Sequence, residues 1–225
     1  MQKIFPLVRP TVAAYAGPFV CYLVFLAIRT QFDAGQGAAF RWIYGVQVTL
    51  VALVMIACRG YYAELRAAWP KWQVWALSAL CGVIVFVLWI NLTLPWMKMG
   101  EAAGYSPLRA DGSIDLLLAS TRLIGAALIV PPMEELFWRS FVMRWMVDRD
   151  FLRVDPRAVT GFALVGVSLV FGLEHDLWFA GLVAGLAYGW LYMRTASLWA
   201  PIFAHAVTNG LLGVWVLMYA HWEFW

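Results

Sequence analysis

Residues 114–147 read IDLLLASTRLIGAALIVPPMEELFWRSFVMRWMV, and this run decides the fold. It is almost wholly apolar, yet it encloses Glu134, Glu135 and Arg139. At about 1.5 Å per residue its 34 residues reach about 50 Å. A bilayer hydrocarbon core is only about 30 Å thick. The run therefore predicts a membrane-embedded helix, and Pro131-Pro132 predict a break into two pieces. Proline removes a backbone donor and clashes with the preceding turn. Ionisable side chains at membrane depth are costly, so the carboxylates and the arginine mark a functional site.

The rest of the chain agrees with that setting. Of 225 residues, 64% are hydrophobic and 13% charged, against about 25% charged in a soluble domain. Mean hydropathy is +0.75. Fourteen Trp and nine Tyr suit interfacial belts around several spans. Further apolar runs lie at 11–28, 42–57, 72–97, 158–174, 177–193 and 196–220. The expectation is an all-α, polytopic transmembrane helix bundle of seven to eight helical segments, forming one integral membrane domain over 1–225. The polar loops near 98–113 and 148–157 are too short to be domains.

Charge and cysteine usage exclude other classes. The net charge of +3 is small and dispersed, with no basic patch of the kind that binds nucleic acid. Cys21, Cys58 and Cys81 lie in apolar stretches without a CxxC or Cys/His cluster, so they read as small core hydrophobes. The first apolar run follows Lys3 and Arg9 but lacks a cleavage site after it, so it reads as a retained span. If every run crosses once from a cytoplasmic N-terminus, Lys3, Arg9, Arg59, Arg66, Lys71, Arg144, Arg149, Arg153, Arg157 and Arg194 fall inside. Arg29, Arg41, Lys98 and Arg109 fall outside, and Arg122 and Arg139 stay in the membrane. The bias sets the N-terminus in the cytoplasm. Gly181, Gly185 and Gly189 form a small-xxx-small stripe, read first as internal helix packing and second as a homodimer seam.

Three polar clusters carry the chemistry. In the first, Glu135 and Arg139 are four apart and share a helix face, with the acid on the favourable N-terminal side. Glu134 is rotated about 100° from that face and is free to point elsewhere. One carboxylate then serves as scaffold and the other as reagent. The second cluster is Phe171-Gly172-Leu173-Glu174-His175, in which Glu174 has no assigned role. In the third, His205 and Asn209 are four apart, and both side chains can donate to a developing oxyanion. Measured from the cytoplasmic ends of their runs, Glu134, His175 and His205 lie about 20, 25 and 14 Å deep. Those depths allow a shared site.

Order and spacing of these clusters resemble the CPBP family of intramembrane proteases, relatives of the CAAX prenyl endopeptidase. The family pattern EExxxR, FxxxH, HxxxN stands here as Glu134, Glu135 and Arg139; Phe171 and His175; His205 and Asn209. The resemblance covers about 114–215 as a catalytic core, and the spans of 1–110 match only in being hydrophobic. It implies an endopeptidase in which Glu134 and His175 activate water while His205 and Asn209 hold the oxyanion, with Glu135 and Arg139 in structural support. The family has been described both as metalloproteases and as metal-free glutamate proteases. Zinc would take Glu134, His175 and His205 as ligands. No HExxH is present, and the metal-free route is favoured here. The implied partners are the bilayer and a protein or peptide substrate, lipidated or otherwise membrane-anchored. The compact, Trp-rich chain suggests a bacterial inner membrane.

Two other classes compete on sequence alone. Buried Glu, His and Arg also serve proton relays in transporters, although no internal hydropathy repeat is visible. A catalytically silent membrane scaffold or immunity protein is the third reading. Transport in proteoliposomes would favour the relay, and complementation by Glu134→Gln would favour the scaffold.

Overall fold

The computed structural model describes residues 9–30, 41–100 and 104–225. Among the described residues seven helices make an all-α bundle, and no strand occurs. They are α1 (Pro10–Thr30), α2 (Ile43–Cys58), α3 (Trp72–Asn91), α4 (Leu116–Trp145), α5 (Gly161–Leu173), α6 (Trp178–Thr195) and α7 (Trp199–Tyr219). Five of them, α1 to α4 and α7, are long and apolar enough to cross a membrane. The third run ends at Asn91 rather than at 97. Leu92 leaves the helical region, and Pro95 opens a separate short turn, Pro95–Met97.

The predicted break at Pro131-Pro132 does not occur: α4 runs unbroken through 30 residues. It absorbs the prolines by widening into a π-helical stretch at Gly125–Ile129, and a second follows at Leu136–Val142. Neither proline can donate, so the α-type bonds to the carbonyls of Ala127 and Leu128 are lost. In the wide turn the Val130 N–H bonds the Gly125 carbonyl instead. The Ala126 carbonyl then has neither regular partner, since Val130 is used and Pro131 has no N–H. π-bulges inside α-helices are common at functional sites.

Glycines set the closest approaches. A Cβ on Gly185 would lie 2.9 Å from Ser168 Cα, and one on Gly181 would lie 3.0 Å from Gly172 Cα. One on Gly189 would meet Leu164. The small-residue stripe of α6 is thus covered by α5 in the same chain, which answers the choice between internal packing and a homodimer seam for these glycines. Likewise a Cβ on Gly82 of α3 would strike the Ala204 carbonyl of α7.

The loops gather at two ends. One end carries 59–71, 146–160 and 196–198, and with them Arg9, Arg59, Arg66, Lys71, Arg149, Arg153, Arg157 and Arg194. Lys3 lies outside the described residues. There Glu64 accepts from Arg144 and from Ser140 Oγ at 2.5 Å, while Tyr15 OH donates to its other oxygen at 2.5 Å. This network ties α4 to α1 and to the loop after α2. Burial pushes the Glu64 carboxyl up, but the Arg144 guanidinium and the two hydroxyls outweigh it and hold the group below its ordinary value.

The opposite end carries 92–100, 104–115, 174–177 and 220–225. Helix α5 has 13 residues and spans only about 20 Å. The α5–α6 tip therefore stops short of a full crossing, and neighbouring loops seat on it. Met99 N donates to the Asp176 carbonyl at 2.7 Å, and Trp178 Nε1 donates to the Trp96 carbonyl at 2.9 Å. Beyond α7 the chain turns back at Ala220, whose φ of 56° is left-handed. Trp225 then reaches the α7 surface at Gly213.

Candidate active site

The candidate side chains come from α4, the α5–α6 tip and α7. Glu134, Glu135 and Arg139 come from α4, where the wide turns on either side leave Val130–Glu135 as a short α-helical piece. Here Glu134 is buried at 6% exposure, Glu135 at 0% and Arg139 at 1%. Arg139 Nη1 donates to Glu135 Oε1 at 3.0 Å, the expected scaffold pair. The guanidinium lies 4.5 Å from the Phe171 ring centre, and its Nη2 reaches the Gly185 carbonyl at 3.4 Å. Arg139 thus joins α4 to both arms of the α5–α6 hairpin.

Glu135 also has a partner that spacing did not reveal. His205 Nδ1, on α7, stands 2.9 Å from the same Oε1 that Arg139 uses. A carboxylate only accepts, so Nδ1 carries the proton. The imidazole face is stacked on Tyr188 of α6 at 4.9 Å, and Tyr188 OH donates to Thr208 Oγ1 at 2.7 Å. Thr208 Oγ1 lies 2.9 Å from the Gly82 carbonyl of α3 and 3.1 Å from the Ala204 carbonyl. The remaining ring nitrogen, Nε2, faces Glu134 Oε2 at 4.0 Å. That oxygen is buried and has no hydrogen-bond partner among the described residues.

His175 sits in the tip after α5. Its Nδ1 is 2.8 Å from the Phe171 carbonyl, which again assigns the proton to Nδ1 and leaves Nε2 as an acceptor. Trp89 of α3 meets the ring edge to face at 5.3 Å. The spacing of four between Phe171 and His175 is thus the spacing of a side chain bonded back to its own helix end.

Asn209 Nδ2 donates to the Ala126 carbonyl at 2.8 Å. This is the carbonyl orphaned by Pro131 and the wide turn. One amide hydrogen of Asn209 is therefore committed to holding α7 against α4, and one remains.

Glu134, His175, His205 and Asn209 all line one cavity of about 170 Å³. A second cavity of about 340 Å³ shares Trp89, His175, Phe224 and Trp225 with it and opens toward Lys98, Asp176 and Glu223. The mouth is at the end of the bundle away from the arginine-rich loops. Arg122, Tyr44 and Tyr22 also line the inner cavity. The sequence offered Arg122 only as a cation within the membrane, and Tyr22, Tyr44, Trp89, Tyr188 and Thr208 gave no signal beyond hydrophobicity. Glu174 is exposed beside Trp138 and forms no ion pair with Arg122 or Arg139. Among the described residues no three His, Cys, Asp or Glu side chains form a group able to hold a metal ion. Glu134, His175 and His205 share the cavity without forming such a group.

Residues 116–211 match the family described as type II CAAX prenyl endopeptidase Rce1-like. The matched region runs from the start of α4 into α7 and contains all three polar clusters. It supports a CAAX-type intramembrane protease, and with the five long apolar helices it supports an integral membrane protein. No curated protein and no solved structure matches the chain.

Proposed function

We propose, from the Rce1-like match, that the chain is an intramembrane endopeptidase in which Glu134 is the base, His175 positions the water, and His205 and Asn209 hold the oxyanion. The observation that carries this reading is the shared lining of one small cavity by those four side chains, contributed by α4, the α5–α6 tip and α7.

Glu134 takes a proton from water while His175 Nε2 accepts the other hydrogen. The hydroxide attacks the scissile carbonyl carbon, and the π electrons move to its oxygen. His205 donates through Nε2, which requires both ring nitrogens to be protonated. Two carboxylates, Glu135 on Nδ1 and Glu134 facing Nε2, then stand against two cations, Arg139 and the imidazolium. The free amide hydrogen of Asn209 is the second donor. Collapse of the intermediate breaks the C–N bond, and Glu134 returns the proton to the leaving amine. A base and acid of this kind contribute about 10²–10⁴ in rate, and each oxyanion donor about 10²–10³. The route is written without metal, as the absence of an HExxH motif favours.

The substrate is a protein or peptide held at the membrane, lipidated or anchored. With the N-terminus cytoplasmic, the mouth faces the outer side of a bacterial inner membrane. Reporter fusions at the N-terminus and in 59–71 should both read cytoplasmic, and a fusion in 92–100 should read the far side. The decisive test of function is Glu134→Gln in purified protein, read on a farnesylated peptide. The amide keeps size and polarity but takes no proton. Turnover should vanish while thermal unfolding stays within a few degrees of wild type; normal turnover would remove Glu134 from its role.

A further inference from the structure

Helix α4 carries three arginines, and two of them are neutralised. Arg139 bonds Glu135, and Arg144 bonds Glu64. Arg122, three turns before Glu134 on the same helix, has no carboxylate within ion-pair distance among the described residues. Its Nε is buried without a hydrogen-bond partner among the described residues. A cation inside the membrane is retained at a cost, so one without a carboxylate partner among the described residues suits an incoming anion. We propose that Arg122 is the anion subsite of the catalytic cavity, taking a carboxylate of the substrate peptide; this rests on the peptidase reading above.

The surroundings fit that role. The guanidinium lies over the Tyr44 ring at 4.3 Å, with the Tyr105 ring at 5.6 Å. Aromatic faces hold an arginine plane and leave its N–H edges for a coplanar bidentate carboxylate. Gly125 makes room for this seat: a Cβ there would lie 2.8 Å from Tyr44 Oη. On the cavity wall Arg122, Ala126, Val130 and Glu134 follow one another at steps of four. From Arg122 to Glu134 is about 18 Å along the helix at 1.5 Å per residue, and extended peptide covers about 3.3–3.6 Å per residue. The bound carboxylate is therefore within about five residues of the scissile bond, fewer if the side chains lean toward each other. Two sources offer that group: the peptide's own C-terminus or an acidic side chain.

The test uses full-length Glu134→Gln protein in detergent and three fluorescent farnesyl-cysteine peptides. One ends in a free carboxylate, one is its C-terminal amide, and one is the amide with a Glu three residues after the cysteine. Binding is read by anisotropy and needs no turnover, so a failure of catalysis does not obscure it. We expect the free acid or the Glu peptide to bind at least tenfold more tightly than the plain amide, and which of them does identifies the source. Adding Arg122→Gln should erase the difference, and Arg122→Lys should restore part of it. In the active protein Arg122→Gln should raise KM for the preferred peptide and leave kcat within a few fold. Thermal unfolding separates a purely structural role: Arg122→Gln should not lower Tm, whereas Arg139→Gln should. Equal binding of all three peptides, absence of binding, or a Tm loss for Arg122→Gln matching that of Arg139→Gln overturns the proposal.

Discussion

Glu135 and His205 are joined at 2.9 Å across α4 and α7, through the same carboxylate oxygen that holds Arg139. The scaffold carboxylate is therefore also the group that fixes the tautomer and orientation of the histidine facing Glu134. Three charged or chargeable groups share one oxygen in a place without water exposure, so removing any one changes the balance for the other two.

This sharing sets the outcome of a double-mutant cycle. Glu135→Ala strands Arg139 and releases His205, and Arg139→Ala strands Glu135. Breaking a buried pair by removing one partner costs about 3–5 kcal/mol. The double Ala variant should lose less stability than the sum of the singles, because no orphan charge remains. Activity should not recover with stability, since His205 still lacks its partner. Unfolding of detergent-solubilised protein and peptide turnover measure the two effects separately; additive stability losses would mean that the pair does not interact.

Asn209→Ala should act twice. It leaves the Ala126 carbonyl unsatisfied, worth about 1–3 kcal/mol of stability, and it removes an oxyanion donor worth about 10²–10³ in kcat. A drop in Tm with unchanged kcat would make Asn209 a helix staple alone. A drop in kcat at unchanged Tm would contradict the bond to Ala126.

Gly172→Ala should disable the site from a distance. The added Cβ would lie 2.6 Å from the Trp178 carbonyl and 2.8 Å from Leu182 N, both backbone atoms that cannot rotate away. Relief requires α5 and α6 to separate, and His175 sits at their junction. Overpacking of this kind costs about 1–3 kcal/mol. The expected result is a lowered Tm with loss of turnover greater than the folded fraction explains, measured on the monodisperse peak. Wild-type turnover would show that the tip tolerates the shift.

Glu64 gives a pH signature at the opposite end. Its carboxyl is held below the ordinary value of 4.5 in the folded protein. A depressed acid stabilises the fold above its unfolded value, and the contribution fades as pH falls through the folded value. Glu64→Gln should therefore lower Tm at pH 7, and the gap to wild type should narrow below about pH 4.5. A gap that stays constant from pH 7 to pH 3 would argue that charge on Glu64 is not what holds Arg144.

Much of this molecule was legible in the sequence. Runs of apolar residues long enough for a bilayer fixed six helix positions to within a few residues and placed α3 correctly at its start, because in a membrane each span must satisfy its own backbone bonds. The i, i+4 rule placed Arg139 on Glu135, since both lie on one rigid helix. Cluster order singled out four side chains that line one cavity. What the tertiary structure alone decided is how helices distant in sequence meet. It decided that Pro131-Pro132 widen α4 instead of breaking it, because Asn209, 83 residues from Ala126, supplies the missing donor. It decided that Glu135 serves His205 as well as Arg139, that the glycine stripe of α6 is used against α5, and that Arg122 lines the cavity. Each of these depends on a partner from another helix. Local pattern describes one helix at a time, and long-range packing selects which of its faces and which of its unsatisfied atoms come together.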